Sequence, residues 1–331
     1  MDGAERAPAV NTDRTTVAAA DVAQKLVGRQ ALRSMMRREN RAGLCFLAGH
    51  LGLIALSTTL VHFAIGNWLI VPATLLHGFF IVTLFAPLHE CSHGTAFRSR
   101  PLNEAVYWGA ALALGLPPLY FRLQHADHHT YTQDVERDPQ MIRLGERLWG
   151  YLFYASAIPY FRDIVRTLLR HASGRLTLAE QRYVYPQARR AVFWQARIML
   201  AVYAAIAIVS VATGSWVPLT YWLIPRIVAE PLERLIRLSE HNGCARTPDM
   251  LENTRTVHTW APLRLLSWNM PLHTAHHMAP LVPFHALPAL DRAIAGHARE
   301  VRAGYLRAVG HELGRLAAAE RQARARLRAA R

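Results

Sequence analysis

The sequence predicts an all-α, polytopic membrane protein: four transmembrane helices in two hairpins, with a cytosolic helical cap that carries three histidine boxes. Three observations predict it. Hydrophobic residues make up 52% of the 331 residues and charged residues only 18%, the balance of a membrane protein. Four apolar runs pair across two short turns that contain no charged residue. Histidines at helical spacing recur three times outside those runs, as His89/His93, His125/His128/His129 and His273/His276/His277. Rings three or four residues apart share one helix face, and neutral imidazole is a ligand for zinc, copper, iron and nickel.

Taken in order, residues 1–24 are polar and alanine-rich without an apolar core, so they read as a disordered tail and not as a signal peptide. Residues 25–295 form the membrane domain, introduced by Lys25, Arg29, Arg33, Arg37, Arg38 and Arg41. The first span is expected at about 44–65 and the second at 68–88, each near the roughly 20 residues a spanning helix needs. A buried soluble helix is the alternative for either run alone, but two runs joined by Gly66-Asn67 favour a membrane hairpin, with Trp68 at its interface. Box one (HECSH) follows at His89. Residues 102–121, with Glu104 early and Pro117-Pro118 late, suit a helix dipping into the interface, and box two (HADHH) comes next at His125. Residues 147–170 mix aromatics with arginines, as an interfacial segment does. The second hairpin takes 191–212 and, after Thr213-Gly214-Ser215, 216–231, an arm interrupted by Pro218, Pro225 and Arg226. His241 and box three (HTAHH) lie beyond it, and 296–331 reads as an Ala/Arg-rich solvated helix with no function assigned.

Arginines flank the base of each hairpin, and the positive-inside rule places both termini and all three boxes in the cytoplasm. The formal charge of +15 is spread along those flanks and forms no basic block interleaved with aromatics, which argues against nucleic acid as a partner. Cys45, Cys91 and Cys244 show no paired spacing and imply no disulfide framework. His50, His62 and His77 within the spans, and His258 and His285 outside them, read as packing or surface residues because none has a box pattern.

Eight box histidines exceed what one ion with open positions can use, so two metals are the economical reading, with His241 as a ninth ligand. Iron suits oxygen chemistry, for which zinc has no redox role. There is no pair of Glu-x-x-His motifs of the kind that builds carboxylate di-iron bundles. Ligating rings need groups on their outer nitrogens; Asp127, Asp134, Asp138, Glu90 and Glu240 are candidates, and Asn269, four residues before His273, would face the site on a helix.

The boxes, together with HECSHGTAFR (89–98), HADHHTYTQD (125–134), ENTRT (252–256), WNMPLHTAHH (268–277) and PFHALP (283–288), resemble the membrane-bound fatty acid desaturases over roughly residues 40–295, closest to a bacterial acyl-desaturase branch. The resemblance implies two iron ions cycling between Fe2+ and Fe3+, O2 as oxidant, and a double bond introduced into the fatty acyl chain of a lipid. It implies a multi-pass protein of the bacterial inner membrane. The sequence has no His-Pro-Gly-Gly haem motif, so the two electrons would come from a separate donor, a ferredoxin or a b5-type protein with its reductase. Two other readings stand beside it. One is a di-iron hydroxylase of an alkyl, carotenoid or small-metabolite substrate. The other is a zinc membrane hydrolase or histidine-rich receptor, for which three ligands and a carboxylate base would suffice.

Overall fold

The computed structural model describes residues 14–329, and most of them are helical. Three helical runs among the described residues are long and apolar enough to cross a membrane: Asn40–Ala64, Ile70–Ser92 and Pro186–Thr213. The first two form the expected hairpin. Gly66 takes a left-handed φ of 89° and Asn67 Oδ1 accepts from the Leu69 amide at 2.9 Å, which closes the turn. The second run does not stop at Leu88 but carries box one on its last turn. Trp68 and Trp216 are 78% and 73% exposed, one just after each of the turns at Gly66-Asn67 and Thr213–Ser215.

The arm expected at 216–231 is of another kind. It opens with a π-helical turn, Leu219–Leu223, and continues as Ile224–His241 with Pro231 inside. This second helix buries Arg226, Glu230, Glu233, Arg234 and Glu240 while Ile224, Ile227, Val228 and Leu232 face outward. Charges in and apolar residues out is the arrangement a lipid-facing helix requires. The charges pair along the helix, Arg234 with Glu230 at 2.8 Å and Arg237 with Glu233 and Glu240 at 3.0 and 2.9 Å. Aromatic rings cover the guanidinium groups, Phe161 over Arg226, Tyr160 over Arg234 and Phe85 over Arg237. We call this the ladder helix. It lies so close to the second apolar run that a Cβ on Gly78 would sit 1.9 Å from the Pro225 carbonyl oxygen. The π turn frees the Tyr221 carbonyl, which accepts from His77 Nε2 at 2.9 Å, so His77 serves packing as expected.

Elsewhere the chain departs from the sequence expectations in four places. The interfacial helix at 102–121 is two helices, Arg100–Leu114 and Pro118–Tyr131, because Gly115 (φ 76°) and Pro117 end the first and start the second. The N-terminal tail lies outside the described residues up to 13, but Arg14–Val27 is helical, with Ala19 and Ala23 one turn apart and buried in the main core. The fold is not wholly α: Arg255–His258 and Glu300–Ala303 pair as a two-stranded parallel sheet. Finally, the C-terminal helix Tyr305–Ala329 is not a solvated appendage, because Ala308, Glu312 and Leu316 are each 1% exposed. Their four-residue spacing makes one buried stripe on a helix whose composition hides it.

Candidate metal centre

Four short pieces of helix bring the histidines together. Box one ends the second apolar run, box two lies on Pro118–Tyr131, box three is the helix His273–Met278, and His241 is the last residue of the ladder helix. Nine rings converge in two sets. In the first, His89, His93, His125, His129 and His276 place ring nitrogens within 4.8 Å of one another, and His128, His241 and His277 do the same in the second. His273 joins the second set, its Nε2 3.1 Å from that of His241.

The donor set fits metal ions. Nε2 atoms stand 3.1 Å apart between His93 and His125, His125 and His129, and His129 and His276. Two nitrogens bound about 2.1 Å from one ion at right angles would be roughly 3 Å apart. Hydrogen bonding accounts for only part of this packing. His125 donates from Nδ1 to Gln140 Oε1 at 3.0 Å, so its neutral ring presents one lone pair at Nε2, which cannot accept from both His93 and His129. Both nitrogens of His89, Nδ1 of His129, His273 and His276, and Nε2 of His277 are buried with no hydrogen-bond partner among the described residues. Burial, and then the neighbouring rings, push His129, His273, His276 and His277 well below the ordinary imidazole range, and His241 down to about 3. These five rings are therefore neutral and ligand-ready at physiological pH.

Three of the four outer nitrogens of the second set, those of His128, His277 and His241, are held by named partners. His128 Nδ1 donates to Asp138 Oδ1 at 2.8 Å. Burial alone would raise the Asp138 carboxyl, but His128 and the amides of Gln133 and Gln140 outweigh it and hold the group below the usual carboxylate range. His277 Nδ1 lies 3.2 Å from Thr132 Oγ1, whose hydroxyl donates to the His128 carbonyl, so the oxygen accepts from the ring. His241 Nδ1 donates to the Asn253 carbonyl at 3.2 Å. Glu240 lies on the ligand side instead, its Oε2 3.6 Å from His273 Nε2; burial raises its carboxyl to about 8 against the pull of Arg237.

The other proposed holders of rings are employed elsewhere. Asp127 pairs with Arg182 at 2.7 Å. Asp134 is exposed and caps a turn by accepting from the amides of Glu136 and Arg137. Glu90 accepts from Thr95 Oγ1 at 2.6 Å and from the Phe284 amide at 3.0 Å, tying box one to the segment after box three. Asn269 does not precede His273 on a helix. It sits in a left-handed turn (φ 56°) and donates to the Phe284 carbonyl. Gln140, Thr132 and Asn253 are not singled out by helical spacing, although Thr132 and Asn253 lie in HADHHTYTQD and ENTRT, two of the stretches that carry the resemblance.

A cavity of about 210 Å3 opens onto His89, His125, His128, His241 and His273. Its remaining wall mixes Phe85, Leu116 and Phe121 with Tyr154, Tyr160, Arg234, Arg237 and Glu240. A second, apolar cavity of about 670 Å3 lies between the Ile158–Ala172 helix, the third apolar helix and the π turn, and reaches Gly115, Phe161 and Arg226. The pairs Gly115-Leu116 and Tyr160-Phe161 form a shared wall, one residue of each on either side.

A family profile described as "Fatty acid desaturase" matches residues 66–308. A sphingolipid delta(4)-desaturase of Drosophila melanogaster is 29% identical over 236 residues, covering 68% of this chain and 66% of that protein. A sphingolipid delta(4)-desaturase of Candida albicans is 23% identical over 234 residues, covering 64% of this chain and 58% of that protein. The chain thus spans two thirds or less of the length of these curated relatives.

Proposed function

The chain belongs to the fatty acid desaturase family, and on that premise we propose that it is a membrane oxidoreductase that uses O2 and two electrons to introduce a double bond into a lipid chain close to a polar head group. The observation that carries this reading is the pair of histidine sets meeting at one cavity whose wall is half apolar and half polar. Set one (His89, His93, His125, His129, His276) would hold one iron ion, and set two (His128, His241, His273, His277) the other. When bound, the iron pair supplies the redox chemistry: one O2, two electrons and two protons, together with the two hydrogens lost from adjacent carbons, end as two waters.

The protein's own part is positional. Asp138, Thr132, Gln140 and the Asn253 carbonyl fix ring tautomers, so that Nε2 points inward at four of the nine histidines. Phe85, Leu116 and Phe121 exclude water from one side of the cavity. Tyr154, Tyr160, Arg234, Arg237 and Glu240 line the same cavity, the two arginines paired with Glu230, Glu233 and Glu240. A wall that keeps this much polarity beside the histidines suits a substrate with hydroxyl or amide groups a few bonds from the reacting carbons. This favours a sphingolipid-type substrate, as the names of the relatives suggest, over the fatty acyl chain that the resemblance implies. The hydrocarbon tail would pass the Tyr160-Phe161 wall into the apolar cavity.

The first part of the ladder helix, from Ile224 to Leu232, serves in this reading as the fourth membrane arm, supported by its outward apolar face, while its end at His241 and the boxes face the cytoplasm of a bacterial cell. A separate electron donor, a ferredoxin or a b5-type protein with its reductase, completes the reaction. Lipid profiling of cells with and without the gene tests the reading. Loss of two hydrogens from a sphingoid base is expected; a product with one added oxygen, or one zinc per chain with activity in the absence of O2, would overturn it.

A further inference from the structure

The stretch Asn253-Thr254-Arg255 touches three of the four ligand-bearing segments. The Asn253 carbonyl accepts from His241, and its side-chain amide donates to the carbonyl of Thr132, whose hydroxyl holds His277. The Thr254 carbonyl accepts from Thr274 Oγ1 in the box-three helix at 3.0 Å. Arg255 is 1% exposed, and one of its terminal nitrogens donates to the carbonyls of Ser239 and Asn242 at 3.1 and 3.0 Å. Those carbonyls belong to the last turn and the cap of the ladder helix, where helix carbonyls lack partners of their own and a cation is favoured. His241 is that helix's final residue.

A guanidinium buried this deeply needs an anion. The other terminal nitrogen of Arg255 donates to Glu312 Oε1 at 3.2 Å, and Glu312, also 1% exposed, comes from the C-terminal helix. The same carboxylate accepts from Asn242 Nδ2 at 3.3 Å. Gly243, at a left-handed φ of 78°, makes room for it, since a Cβ there would sit 2.4 Å from Glu312 Oε2. The strand pairing of Arg255 with Glu300 fixes the segment that leads into that helix.

We propose that Glu312 and Arg255 are positioning residues for the second histidine set: the C-terminal helix reaches across to lock the end of the ladder helix, and through it the His241 ring. The inference rests on the reading that the two sets hold iron. Ligands must be held within about 0.5 Å of their working positions, and loss of an outer support costs about 10- to 100-fold in metal affinity or activity. The set-one rings share no hydrogen bond with this lock, so the effect falls on one ion only.

The test is iron content, by elemental analysis, of the full-length protein purified in detergent and loaded with iron(II). Wild type should carry two iron ions per chain; a wild type with none sinks the functional reading and this inference with it, whereas two in wild type and two in the variants sinks this inference alone. Glu312→Ala is expected to fall to about one, with unchanged helix content and elution. Because that variant leaves Arg255 with Glu300, 3.4 Å from its Nε, as its remaining anion, Arg255→Met/Glu312→Leu is measured beside it, removing the charge while keeping volume. One iron per chain in the folded double variant supports positioning. Two iron ions in either variant, or the failure of both to fold, overturns it, since the pair would then be irrelevant to His241 or a support of the whole fold.

Discussion

The two histidine sets are built from the same boxes but held by different forces. Set one is held by packing: His89 and His93 end a long apolar helix, His125 stacks on Phe121 with rings 5.4 Å apart, and Gln140 is the one side chain among the described residues found on an outer nitrogen. Set two is held by hydrogen bonds that arrive from loops and from the far end of the chain, through Asp138, Thr132, Asn253, Arg255 and Glu312. Packing on rigid helices is local and cooperative, whereas a chain of hydrogen bonds fails at its weakest link. Set two should therefore be the more labile, and the polar cavity wall sits against the same set, at His241 and His273.

The largest expected effect does not separate the sets. His128→Ala and His129→Ala each remove a ring from one of them, and product formation should fall to background in both, with membrane insertion intact because box two lies outside the apolar runs. Full activity in either would show that box two does not supply ligands. Asp138→Asn comes next, with a loss of about 10- to 100-fold. The amide can turn its NH2 toward His128 Nδ1 and favour the wrong tautomer, and it gives up the charge that accepts from the Gln133 and Gln140 amides. Gln140→Leu, the counterpart in set one, should cost no more than about tenfold, since packing on Phe121 keeps His125 in place. If Gln140→Leu proves the more damaging, the contrast between the sets is wrong.

Chelation reads the same contrast without a mutation. A dilute chelator should remove iron in two phases, the fast phase lost together with set two. A single phase with both ions leaving at one rate would erase the distinction.

The sequence made the boxes legible because their geometry is local: i, i+3 and i+4 on a helix need nothing but a helix. His241 has no partner at helical spacing and rests on its position, just beyond the last arm on the face that carries the boxes. What supports the rings was not legible, because Thr132, Gln140 and Asn253 act from loops, where helical spacing stops applying. Asn269 shows the error directly: projecting the box-three helix backwards by one turn assumed a helix that begins only at His273. The ladder arm looked irregular because hydropathy counts charges without saying which way they face. The C-terminal helix reads from its composition as solvated, although Glu312, among its many alanines and arginines, closes a lock with Arg255, 57 residues away in the chain.

The smallest effect is the most discriminating. Thr132 both donates to the His128 carbonyl at 2.7 Å and accepts from His277 Nδ1 at 3.2 Å, so a single hydroxyl ties box two to box three. Thr132→Val keeps the shape and loses the hydroxyl. One neutral hydrogen bond contributes about 1 kcal/mol, so activity should drop about fivefold, with set-two iron leaving faster under the chelator and set-one iron unchanged. Thr132→Ser restores the hydroxyl and should restore both readouts. A fully active Thr132→Val, or a Thr132→Ser as impaired as Val, would mean that packing holds His277 as it holds set one, and the two sets would then differ in sequence but not in kind.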